Sequence, residues 1–155
     1  MPQSPYTAIK AHYLQRYSAH IEGEFDALFC VISAHELNME ARQALQASAQ
    51  RLGYDTRQCA YIVLDTPNKN TPDDALTSHD LLTIVEAIDP LCIVLADHES
   101  TKTASAGYNV ALSLEVKEHL LGRGCCCFED FEKLLTSSEG KQKAWACLKT
   151  LPHNG

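Results

Sequence analysis

The chain has 155 residues, 45% hydrophobic and 21% charged, and its 13 Lys and Arg against 20 Asp and Glu leave a formal charge of -7. A chain of this size and balance is expected to form one soluble domain with its own core, 1–155, in which 1–22 supply an N-terminal helix and 27–151 the core. The acidic surplus argues against a general phosphate-binding surface, and so against nucleic acid as partner.

Tyr6–His20 reads as a helix, with Ile9, Tyr13 and Tyr17 at helical spacing and Gly23 beyond its end. That stripe packs on its own sheet, or else forms a face for a second copy or a protein partner. Ala27–Ile32 is an unbroken apolar run, the mark of a strand buried on both faces. Asn38–Leu52 is rich in good helix formers and Gly53 stops it. Ala60–Leu64 is a second buried strand, and Asp65–Asp74 is a polar loop with two prolines. Thr77, with Asp80 three residues on, caps a helix over Ser78–Ile88. Cys92–Ala96 is a third buried strand, followed by a short helix over Ser100–Tyr108. Val110–Leu121 fits strand in its first half and helix in its second. Cys125–Phe128 is a fourth strand, Phe131–Leu135 a short helix, and Ser138 caps a last helix over Glu139–Leu151.

Buried strands alternating with helices define an α/β chain: a single three-layer domain with helices on both faces. Its sheet should be short and mainly parallel, with four strands, or five if Val110–Leu121 adds one. No apolar run approaches the roughly 20 residues of a membrane helix. The first residues, MPQSPYTAIKAHYLQ, lack the basic, apolar, small order of a secretory leader, so a cytoplasmic protein is expected.

The seven cysteines, Cys30, Cys59, Cys92, Cys125, Cys126, Cys127 and Cys147, include no C-x-x-C pair. An odd count without a leader speaks against a disulfide framework, and the spacing gives no metal site. Cys30, Cys59 and Cys92 read as small buried hydrophobes. In a strand, Cys125 and Cys127 would share one face and Cys126 would take the other. A reactive or metal-binding thiol cluster is the competing reading.

Ligands of open α/β sheets bind beyond the carboxyl ends of the strands. The four strand exits read Ser33-Ala34-His35-Glu36, Asp65-Thr66-Pro67-Asn68-Lys69, Asp97-His98-Glu99-Ser100 and Glu129-Asp130. His35, Asp65, His98 and Asp130 are the candidate catalytic residues. Ser33, Ala34, Glu36, Thr66, Asn68, Asp97, Glu99 and Glu129 are pocket candidates. The first four could converge on a metal, or His98 could pair with Asp97 or Glu99 in acid–base chemistry. Wet loop residues are the plain alternative. His12, His20, His79, His119 and His153 read as helix-surface or tail residues. No glycine-rich phosphate cradle and no nucleophile elbow occurs.

Two stretches carry a resemblance to a known family. The first is CAYIVLDTPNKNTPDDALTSHDLLTIVEAIDPLCIVLADHESTKTAS and the second is FEDFEKLLTSSEGKQKAWACLKTL. Together they resemble the uracil-DNA glycosylase superfamily, chiefly its single-domain bacterial and archaeal branch that carries an iron–sulfur cluster. Lys141, Ala144, Trp145 and Leu148 fall in step with the family's ending, as do Leu134 and Leu135. The resemblance implies a uracil-DNA-glycosylase-like fold.

The family's functional motifs do not carry over. The glycine-bearing first loop is replaced by Ser33-Ala34-His35-Glu36-Leu37, and the uracil-reading Asn by Val63-Leu64-Asp65. The His-Pro-Ser segment is replaced by Asp130-Phe131-Glu132, and a carboxylate there repels charge developing on a departing base. Cluster cysteines are missing from the N-terminal helix and from the Asp65–Asp74 loop, so no iron–sulfur cluster and no other cofactor is expected. Lys69, Lys102 and Arg123 are the few loop cations, read as solvated. Three functions follow as expectations. The first is a cytoplasmic binding or interaction protein, of unassigned partner, that has lost glycosylase activity. The second is a nucleobase- or nucleoside-processing enzyme with a re-tooled acidic and His site. The third is a metal-dependent hydrolase.

Overall fold

The computed structural model describes residues 5–65 and 75–154, with side chains from residue 10 onward. The elements run α1 (Pro5–Leu14), a 3-10 segment (Gln15–His20), β1 (Ile21–Gly23), β2 (Phe29–Ser33), α2 (Met39–Arg51), a 3-10 turn (Thr56–Gln58) and β3 (Cys59–Val63). They continue with α3 (Ser78–Ile88), β4 (Cys92–Leu95), α4 (His98–Tyr108), β5 (Lys117–Leu120), β6 (Arg123–Cys127), α5 (Phe131–Leu134) and α6 (Ser138–Leu148).

The sheet has six strands in the order β1-β3-β2-β4-β6-β5. The inner four, β3-β2-β4-β6, are parallel, and they are the four apolar runs of the sequence. The outer two are antiparallel, so the sheet is mixed and larger than four or five strands. Their pairing explains why the sequence hid them. β1 is a three-residue edge whose Ile21 lies opposite Ile62. Gly23, at φ +116°, is required there, because a Cβ would stand 2.6 Å from the Cys59 carbonyl oxygen. β5, Lys-Glu-His-Leu, buries only Leu120. It joins β6 through Leu121-Gly122, both at positive φ, the backbone of a type I′ hairpin turn. Val110–Leu121 therefore ends in a strand, and the residues before Lys117 form neither helix nor strand.

Strand alternation feeds two cores. Phe29, Val31, Val94, Cys126 and Phe128 face α2, α5 and α6. Cys30, Ile32, Ile93, Leu95, Cys125 and Cys127 face α3 and α4, with Leu14 and Tyr17. Cys125 and Cys127 thus share one face and Cys126 takes the other, as the period of a strand requires. Each fully buried Leu, Ile or Phe contributes about 1.5–3 kcal/mol to holding these layers.

The helix expected over Tyr6–His20 breaks at Leu14, and the tighter 3-10 turn redirects the stripe. Tyr13 is 62% exposed while Tyr17 is 5% exposed, its hydroxyl donating to Asp80 Oδ1 at 3.2 Å. The two tyrosines therefore do not make one docking face, and the side chain of Ile9 lies outside the described residues. α3 matches its expected bounds, with the Thr77–Asp80 capping box formed. α4 begins at His98 rather than Ser100, because Asp97 is its N-cap. α6 is capped by Ser137 and ends at Leu148, three residues before the expected end.

Candidate functional site

The chain leaves β2 toward β3 on one side, and β4 lies on the other side of β2. Loops that follow β2 and β4 therefore diverge, and such a switch point opens a crevice at the carboxyl ends of the strands. A cavity of about 290 Å³ lies there. Its walls come from three exits: Ala34, His35 and Leu37 after β2; Ala96, Asp97, His98 and Glu99 after β4; and Glu129, Asp130 and Glu132 after β6.

Backbone bonds hold the three exits together. The Ala34 N–H donates to Asp97 Oδ2 at 2.7 Å, and the Ser100 N–H donates to Asp97 Oδ1 at 2.8 Å. The His98 N–H donates to the Glu129 carbonyl, and the Phe131 N–H to the Ala96 carbonyl. Asp97 therefore spends both oxygens on structure, capping α4 and pinning the β2 exit, and is not the acid–base partner of His98. Asp130 caps α5 by accepting from the Lys133 N–H at 3.1 Å. Ser33 is buried and its hydroxyl donates to the His35 carbonyl at 2.7 Å, so it is a loop brace.

Two imidazole–carboxylate pairs flank the opening. His35 Nε2 lies 3.4 Å from Glu132 Oε1, and the other oxygen of Glu132 accepts from the Asn38 N–H at 2.8 Å. His98 Nδ1 lies 3.4 Å from Glu129 Oε2, and both side chains are 62% exposed. Water screens such exposed pairs, which contribute about 0–1 kcal/mol each. Among the described residues, five carboxylates, Asp97, Glu99, Glu129, Asp130 and Glu132, and two imidazoles line this cavity, with no Lys or Arg. A second hollow of about 400 Å³ shares Glu129 and Asp130 with it and runs to Lys133, Ser137, Gly140 and Lys143 at the start of α6.

Of the four candidate catalytic residues, His35, His98 and Asp130 meet at the cleft. Asp65 does not line it, although its N–H donates to the Ala34 carbonyl at 2.8 Å. Glu36 turns away, its carboxylate 3.8 Å from Arg42 Nη1. Thr66, Asn68 and Lys69 lie outside the described residues. The convergence on a metal is not found: among the described residues, no three His, Cys, Asp or Glu side chains stand where they could hold an ion. Nor do the consecutive cysteines suit a shared cluster, since Cys126 and its two neighbours face opposite cores. Glu132 lines the cleft although the strand-exit rule does not include it among the pocket residues. Its signal is Asp130, whose capping places the first turn of α5, and with it Glu132, against the cleft.

Two other sequence expectations change. Arg123 is 8% exposed and donates to Glu86 Oε1 at 3.0 Å, to Glu86 Oε2 at 3.1 Å and to Asp89 Oδ1 at 2.8 Å, so it is no solvated phosphate contact. Its hydrogen bonds hold the Glu86 carboxyl below the ordinary range. His20 is buried rather than on a helix surface, with Nδ1 2.7 Å from the Val63 carbonyl.

The cleft offers acceptors and weakly held imidazoles, with no Ser, Thr or Cys lining it among the described residues. It suits a neutral or positively charged group, and its field opposes a phosphate or a developing oxyanion. No helix of the described residues is long and apolar enough to cross a membrane. The fold and the site together define an α/β protein with an acidic switch-point cleft. No protein-family model matches the chain, and no curated protein matches it either.

Proposed function

We propose that the chain is a uracil-DNA-glycosylase-like domain of bacterial type that has no glycosylase activity and serves in the cytoplasm as a binding protein. The basic side chains of a protein partner enter its switch-point cleft. One observation carries this reading: among the described residues, five carboxylates and no Lys or Arg line the cleft. A glycosylase must first grip phosphates to flip a base, and it must then stabilise negative charge on that base. This cleft opposes both. The likeness to the family rests on segments that here form β3, α3, β4, α4, α5 and α6.

A divergent nucleobase- or nucleoside-processing enzyme is the second reading, favoured by the His98–Glu129 pair beside Asp130. One experiment separates the two. A fluorescent uracil-containing single strand is followed by anisotropy at low and at physiological salt, and the same strand is assayed for excision. The binding-protein reading expects no binding and no excision, together with capture of a Lys- and Arg-rich peptide that weakens with salt and with E129Q. Uracil-dependent binding, or excision abolished by D130A or H98A, overturns it in favour of the enzyme.

A further inference from the structure

A hollow of about 340 Å³ lies between α2 and α6 and shares no lining residue with the acidic cleft. α2 lines it with Glu40, Gln43, Ala44 and Ser48, and α6 with Lys141, Ala144, Trp145 and Leu148. Each set recurs at three and four residues, so one face of each helix borders the same space. The small residues Ala44, Ser48 and Ala144 leave that space open, where a core built only for stability would fill it. Its floor is apolar: Phe131 and Leu148 are each 1% exposed, and Leu135 is 6% exposed. Arg51, the last residue of α2, lies over the Trp145 ring at 4.2 Å from its centroid and ties the two helices together.

The charges differ from those of the cleft. Among the described residues, Lys141 and Arg51 enter no ion pair, in a chain whose formal charge is -7. Lys141 is exposed and stands one turn before Trp145 on α6. An unpaired cation beside an aromatic ring, above an apolar floor, complements an apolar ring that carries a negative charge. Glu40, on the α2 wall, limits that charge to one, because a second carboxylate on the ligand would meet a like charge. The Ser48 hydroxyl donates to the Ala44 carbonyl at 2.8 Å and is therefore already committed. From Glu40 to Ser48 the α2 wall runs about 12 Å, room for one six-membered ring with a short tail. The volume falls in the range of small-molecule sites, roughly 300–1,000 Å³.

We propose that this hollow is a second binding site, for a small aromatic monocarboxylate. The ring of the ligand lies on Phe131, Leu135 and the Trp145 indole, and its carboxylate meets the Lys141 ammonium at the mouth. The ring supplies the contact area and the cation selects the sign of charge. Inorganic phosphate lacks the apolar body, and an ammonium ligand would place a like charge against Lys141. The site is independent of what enters the cleft.

Trp145 is the one tryptophan of the chain, so its emission reports on this hollow. The test titrates the full chain with phenylacetate and follows that emission, excited where tyrosine does not absorb. Phenethylamine, which has the same ring with an ammonium in place of the carboxylate, and acetate, which has no ring, serve as comparisons. Phenylacetate should give a saturable change and the other two none. K141A, at an exposed position, should weaken phenylacetate about tenfold, and E40Q should tighten it. A44F, at a half-buried position, should fill the hollow and abolish binding. The absence of a saturable change with phenylacetate overturns the proposal. So does phenethylamine or acetate binding as tightly, or a K141A or A44F variant that binds phenylacetate like the unmodified chain.

Discussion

The two ends of the sheet are opposites. At the amino ends of the parallel strands, most polar groups have partners, although among the described residues Arg123 Nε is buried without one. The Tyr54 hydroxyl donates to the Pro152 carbonyl at 2.6 Å, and the Asn154 N–H donates to the Leu52 carbonyl at 2.8 Å. Pro152 lies against Gly124, where a Cβ would collide with it. Beside this plug, Arg123 joins Glu86 and Asp89, and Tyr108 donates to Glu86 at 2.9 Å. At the carboxyl ends, five carboxylates crowd one cavity with no cation lining it among the described residues. A group already committed to its neighbours cannot take a ligand; at the open end that holds for Asp97, Asp130 and Glu132, and leaves, among the described residues, Glu99 and Glu129 as the carboxylates without a backbone N–H to hold. Like charges held together at the open end cost stability, which a purely structural surface would have no reason to keep.

Breaking the closed end should have the largest effect. R123M leaves Glu86 beside Asp89 with no cation between them, and we expect a loss of about 2–3 kcal/mol in urea denaturation. That is below the cost for a fully buried pair, because both carboxylates keep contact with water. The same variant should alter the acid limb. Glu86 is held below its ordinary value, chiefly by Arg123. Its contribution is therefore present above about pH 5 and lost as pH falls through the lowered folded value. An R123M protein whose acid unfolding matched that of the unmodified chain would show that the ion pair is idle.

Asp97 is the pin of the open end that uses both carboxylate oxygens, and it comes next in size. D97A removes the cap of α4 and the acceptor of the Ala34 N–H, with an expected loss of about 2 kcal/mol. D97N keeps an acceptor for one of the two donors and should lose about half as much. Equal losses in the two variants would mean that charge, not hydrogen bonding, does the holding. At the closed end, Y54F removes only the hydroxyl that meets Pro152, and we expect about 1 kcal/mol.

How much of this was legible in sequence depends on how each element is buried. The four inner strands are buried on both faces, so they print unbroken apolar runs such as CIVL. The edge strands bury one side chain or none. Glu22 and Gly23 are exposed, and in KEHL only Leu120 is buried, so neither pattern rises above a loop. The turn from β5 into β6, Leu121-Gly122, lacks the Asn or Asp that would mark a type I′ hairpin. The rule of strand exits found His35, His98, Glu129 and Asp130, because it depends only on strand order. It could not separate Asp97 from them. The sign was present all the same, since Asp97 and Ser100 form a capping box that commits the carboxylate before any ligand arrives. Burial of His20 and Arg123 comes from contacts distant in sequence, Val63 for one and Glu86 for the other, and no local pattern encodes it.

The smallest expected effect bears most directly on the contrast between the ends. Glu99 and Glu129 line the cleft and neither is a helix cap. Neutralising both, in E99Q/E129Q, relieves repulsion among the five carboxylates and gives up the exposed pair to His98 and the favourable place of Glu99 in the first turn of α4. We expect the double variant to gain about 0.5 kcal/mol at low ionic strength, and the gain to vanish at 0.5 M salt as screening removes the repulsion. Binding of a Lys- and Arg-rich peptide should fall in the same variant. A gain in stability paired with that loss marks the carboxylates as held for a ligand at the expense of the fold. A loss of stability instead would place Glu99 and Glu129 with the structural pairs of the closed end, and the distinction between the two ends of the sheet would fail.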